Sequence, residues 1–165
     1  MTPRTDNDST LHARVERLEH QMLVLVGLVA TVLLIIGTTR TLFTEKPGGD
    51  ARPHDMFTML TSDFVPTFIK VAYGFLLVAT AGAIVITVLA WDRNGSRMLL
   101  RVGRGLLVVM VLGAVATLLI TLISTRDGVG AEAGSGGWFY LAGVIAYATL
   151  VAGSLAEAWV DPRSY

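Results

Sequence analysis

The residues that could do chemistry are few, and their spacing suits little of it. The three histidines, His12, His20 and His54, all fall outside the long apolar runs, so no membrane-embedded pair is available to ligate haem. Cysteine is absent, which removes disulfides, thiolate metal sites, iron–sulfur ligation and cysteine nucleophiles together. No H-E-x-x-H, phosphate-loop, G-x-S-x-G or paired-carboxylate arrangement occurs, so hydrolase and transferase chemistry lack a nucleophile, a base and a metal site. Asp50, His54, Asp55 and Asp63 share one polar interval and could gather a cation, but scattered loop residues of this kind are ordinarily solvated. The expectation is a protein that is not an enzyme and carries no cofactor or metal.

Two ionisable residues fall inside apolar runs, and side-chain direction separates them. Lys70 sits about 7 Å inside its run at 1.5 Å per residue, and a helical Cβ leans toward the helix N-terminus, so its ammonium can snorkel outward. Glu157 lies near the end of the last run, where the same lean turns its carboxylate into the membrane and a helix C-terminus disfavours an anion. It needs a partner or a proton. Arg101 and Arg104 lie at matching depth on another run, which makes Glu157, Arg101 and Arg104 a candidate intramembrane ion pair or, alternatively, a proton or substrate site at the inner mouth of a bundle.

The elements that hold these residues are read from hydropathy. With 53% apolar and 16% charged residues in 165, the composition is that of a polytopic membrane protein. Formal net charge is zero, so nothing argues for nucleic acid or an acidic substrate as partner. Arginine dominates the basic residues, with Lys46 and Lys70 the two lysines, and together with the Ala, Gly and Val content this suggests a GC-rich bacterial genome, such as an actinobacterium. Four spanning helices are expected, at about residues 10–39, 65–91, 98–125 and 138–159, in one membrane domain over 10–159, giving an all-α integral membrane protein. Residues 1–9 read as a disordered tail and 160–165 as a short tail on the same side.

The first and third runs resemble each other. Shifted by 86 positions, Val29-Ala30-Thr31 falls on Val115-Ala116-Thr117, and Thr39-Arg40 on Thr125-Arg126. The second and fourth also end alike, in Ala90-Trp91-Asp92-Arg93 and Ala158-Trp159-x-Asp161-x-Arg163. Two duplicated hairpins, a 2+2 parallel repeat, would produce this pattern, as would the small residue alphabet of membrane helices.

Three stretches offer surfaces. Leu11, Val15, Leu18, Met22 and Leu25 recur at alternating steps of four and three, a heptad seam that runs into the first span. It is a candidate partner seam, or a solvated lead-in touching the bilayer interface. Between the breakers Pro47-Gly48-Gly49 and Pro53 and the second span, Asp55 opens a short amphipathic helix bearing Met56, Phe57, Met59, Leu60 and Phe64. It would lie on the membrane surface or, alternatively, form a lid or docking face over the bundle end. Small residues at every fourth position, Ala79/Ala83, Ala142/Ala146 and Ala148/Ala152/Ala156, joined by Gly27, Gly74, Gly82, Gly113, Gly143 and Gly153, let helices approach closely, within the chain or between subunits. The stretch 128–137, rich in Gly and Ala, reads as a flexible connection.

With both termini in the cytoplasm, the inner side holds Arg4, Arg14, Arg17, Arg93, Arg97, Arg101, Arg104 and Arg163. The outer side then holds Arg40, Lys46, Arg52, Lys70 and Arg126, so the positive-inside rule favours a multi-pass protein of the bacterial plasma membrane in this orientation. The function expected is that of a non-catalytic accessory or assembly subunit in contact with lipid and with other membrane subunits or copies of itself. The alternative is a small homo-oligomeric transporter or channel; polar groups at mid-depth, Thr31, Thr80, Thr117 and Thr149, are few for a translocation path.

Overall fold

A computed structural model describes residues 5–45, 52–63, 65–91, 97–126, 132–153 and 155–156. Its order is α1 (Thr5–Thr39), β1 (Phe43–Glu45), β2 (Arg52–His54), α2 (Met56–Thr61), α3 (Thr67–Ala90), α4 (Arg97–Arg126), β3 (Glu132–Ala133) and α5 (Ser135–Ala152). Four helices are long and apolar enough to cross a membrane, over Arg17–Thr39, Thr67–Leu89, Arg97–Leu119 and Ser135–Ala152. The protein is a multi-pass helical membrane protein.

Each long helix packs on its chain neighbours, and α5 closes the ring on α1. The α1–α5 contact is the most extensive, and its cause is local: a Cβ on Gly37 would stand 2.5 Å from the Tyr140 backbone nitrogen, and one on Gly143 would stand 2.9 Å from that of Leu34. Lipid tails are as apolar as leucine, so burial from lipid gains little, and such backbone proximity is what holds membrane helices together. Ala30, Leu34, Met110, Tyr147, Leu150 and Val151 fill the interior. The 86-residue sequence repeat does not extend to equal packing, since Ala30 is buried and its counterpart Ala116 exposed, while Leu23 is buried and Val109 is not.

Helix ends follow sequence chemistry. At the end of α1 the Thr38 and Thr39 hydroxyls both donate back to the Ile35 carbonyl at 2.9 Å, one turn earlier in the helix, so that neither hydroxyl proton is left unpaired. Pro66 is the residue before α3, which starts at Thr67, and the Pro66 carbonyl accepts from Ile69 and Lys70. The fourth span is displaced from the expected 138–159. It starts at Ser135 and stops at Ala152, because Gly153 is extended and leaves the helical path.

One end of the bundle carries structure that hydropathy did not announce. β1 pairs antiparallel with β2, Phe43 opposite His54, and with β3, Phe43 opposite Ala133. The order β2-β1-β3 ties the loop after α1 to the loop before α5. The expected flexible connection at 128–137 is corrected over its described part. Gly134 N–H donates to Leu42 O at 2.7 Å and Gly136 N–H to Thr41 O at 2.9 Å, and a Cβ on Gly134 would lie 2.1 Å from Thr41 O. Here the glycines permit backbone contact, and the hydrogen bonds that contact makes hold the chain.

Candidate docking surfaces

At mid-depth the hydroxyls are mostly spent on other protein atoms. Thr80 donates to Leu76 O at 2.8 Å, so its single proton is used and the Tyr140 hydroxyl, 3.0 Å away, is the donor in their contact. Thr117 donates to Gly113 O at 2.9 Å and therefore accepts from Tyr73 at 3.2 Å. Thr87 donates to Ala83 O, Thr149 to Ala146 O, and Tyr147 to Gly103 O. Thr31 differs: its hydroxyl oxygen is buried with no hydrogen-bond partner. A cavity of about 190 Å³ lies between α3 and α4, lined by Ile69, Tyr73, Leu76, Gly113 and Thr117 with the exposed Phe68 at its rim.

The candidate ion pair is half in view. Glu157 lies outside the described residues. Arg101 is exposed, and the Arg104 Nε donates to Val151 O at 3.0 Å. That carbonyl belongs to the last turn of α5, where acceptors lose their helical partners and a cation is electrostatically favoured. The structure thus assigns Arg104 a helix-capping contact that sequence depth alone did not suggest. The signal was there in Gly153, which ends α5 early and frees the carbonyl.

The amphipathic helix forms as α2, and its cap is the expected one: Asp55 Oδ1 accepts from Thr58 N–H at 2.6 Å. Met56 and Met59 are buried in the core cluster with Leu42, Phe43 and Tyr73, Leu60 is half-buried, and Phe57 is exposed. The helix packs on α3 and α1; Phe64 lies outside the described residues. Of the four residues that could have gathered a cation, Asp55 is spent on the cap, the His54 ring stacks on Phe43 with centroids 5.0 Å apart, Asp63 is exposed, and Asp50 lies outside the described residues.

The partner seam stands clear of the bundle. Leu11, Val15, Leu18, Met22 and Leu25 are each between 51% and 58% exposed, whereas Leu23, Gly27, Ala30 and Leu34 form the face of α1 that packs inward. Leu11 and Val15 precede the first span, which begins at Arg17. The seam continues into the span through Val29 and Val32, both exposed. On α4 a broad apolar face, with Val108, Leu112, Val115 and Leu119, is likewise uncovered. The small-residue faces divide: Ala79 and Ala83 are buried within the chain and Ala152 is exposed.

No protein-family model, curated protein or solved structure matches the chain.

Proposed function

We propose that the protein is a non-catalytic accessory or assembly subunit of a larger bacterial membrane complex, acting by docking. The observation that carries this reading is the α1 seam, which keeps Leu11 and Val15 exposed ahead of the first span. Apolar side chains aligned on one helix face in water favour a partner that covers them. The interior supports the same reading, because among the described residues its buried side chains are apolar or have hydroxyls bonded to neighbours, with the Thr31 hydroxyl and the Trp91 indole N–H as exceptions. A translocation path draws on polar groups left open at depth.

The reading includes orientation: both termini face the cytoplasm of a plasma membrane, and the sheet and α2 face outward. It also includes the Glu157 pair with Arg101 or Arg104, whose removal by Glu157→Gln is expected to lower thermal stability and to be non-additive with loss of the partnering arginine. Native mass spectrometry after gentle detergent extraction tests the assignment. Stoichiometric co-purifying subunits are expected. A pure homo-oligomer that conducts a pH-dependent flux in vesicles, abolished by Glu157→Gln, would replace it with the transporter reading.

A further inference from the structure

We propose that the exposed seam of α1 mates with the same seam of a second copy of this chain, as a parallel two-stranded coiled coil that starts ahead of the membrane and continues into it. This deepens the docking reading by naming the occupant of one surface. The heptad places Val15, Met22 and Val29 at a, and Leu11, Leu18, Leu25 and Val32 at d. Val15 and Val29 at a, with Leu11, Leu18 and Leu25 at d, follow the pattern of β-branched a and leucine d that favours two parallel strands, while Met22 and Val32 depart from it. All seven side chains are exposed in the single chain.

The flanking charges select the partner. Arg14 falls at g and Glu19 at the following e, and both lie outside the inward face of α1. Within one helix, residues five apart do not face each other, so the two are not an internal pair. In a parallel coiled coil, g of one helix meets the following e of the other. Arg14 therefore faces Glu19 of the second copy, and Glu19 faces Arg14 of the second copy, giving two opposite-charge pairs by symmetry. A self-complementary patch of this kind is what a twofold interface requires.

The membrane supplies the remaining geometry. Two copies inserted with one topology hold α1 parallel and at equal depth, so register follows without a search. Leu11 and Val15 leave water on pairing and supply a hydrophobic gain, whereas Leu25, Val29 and Val32 exchange lipid for protein and add packing only. Association should therefore depend on the part ahead of the span.

Single cysteines test this directly, since the chain has none of its own. In native membranes, Leu18→Cys and Leu11→Cys should each form a disulfide-linked dimer of the full chain on mild oxidation, while His20→Cys, on the far side of the helix, should not. In the Leu18→Cys background, Arg14→Glu or Glu19→Arg should each reduce the dimer yield roughly five-fold. The two changes together should restore it, because only a partner with the same sequence carries the compensating swap. Monomeric Leu11→Cys and Leu18→Cys variants, or a double reversal no better than the singles, would overturn the second-copy inference. Cross-linking of Leu18→Cys to a different protein would overturn it while leaving the accessory-subunit reading standing. Restored homodimers with no other subunit in the native mass spectrum would support it and remove the accessory reading.

Discussion

The direction of individual hydrogen bonds decides how the buried hydroxyls respond to substitution. Thr80 keeps its bond to Leu76 O whether or not Tyr140 is present, so Tyr140→Phe removes one contact and strands nothing. Its cost should be about 0.6 kcal/mol, the average for polar contacts between membrane helices. Thr80→Val is different, because it leaves the buried Tyr140 hydroxyl without its acceptor, and it should cost about 1–3 kcal/mol. Thermal unfolding of the two variants in detergent checks the order, and equal losses would contradict it. Glycine gives a second contrast. A Cβ on Gly134 meets the Thr41 carbonyl at 2.1 Å, so Gly134→Ala must move backbone and should lose about 1–3 kcal/mol, whereas Gly105 has nothing within 4 Å and Gly105→Ala should gain up to about 1 kcal/mol from helix propensity.

At the scale of elements, α5 has an end that a side chain from another helix caps. Gly153 turns the chain out of the helix, and Arg104 from α4 donates to the Val151 carbonyl in the last turn. Arg104→Met should therefore raise amide hydrogen exchange around residues 151–153 and cost about 0.3–1 kcal/mol, with less effect in high salt. Arg101→Met, on an exposed side chain, should leave that exchange unchanged. The short helix α2 was readable because Asp55 caps it, yet its placement was not, since Met and Phe suit a bilayer surface and a protein core equally. Its contact with α1 and α3 exists only in the tertiary structure.

At the scale of the whole molecule, one sheet joins the loop after α1 to the loop before α5. The sheet joins residues 43–45 to 52–54 and to 132–133, linking the first and last spans at one end, while the other end carries the α1 extension and the capped end of α5. Single cysteines at Gly49 and Ser96 should be labelled from opposite sides of the membrane, Gly49 from outside and Ser96 from the cytoplasm. Labelling of both from one side would remove the four-span topology. Deleting residues 1–20 should leave insertion intact and weaken association, as read by cross-linking at Leu25→Cys.

The number of spans was legible because each needs only a local run of about 17–25 predominantly apolar residues. The seam was legible for the same reason, since Leu11, Val15 and Leu18 state their periodicity without a neighbour. The sheet was not. Its strands are three, three and two residues long, and the pairing of Phe43 with Ala133 spans most of the chain, so no local window contains the information. Glycine misled for a related reason: at 134 and 136 it serves contact with Leu42 and Thr41, which sequence places far away, and without that contact the same residue type reads as slack. Sequence determined what crosses the membrane and which face of α1 is left apolar. Tertiary structure alone decided which close approaches the small residues make, because a missing Cβ has meaning only relative to the backbone that fills its place.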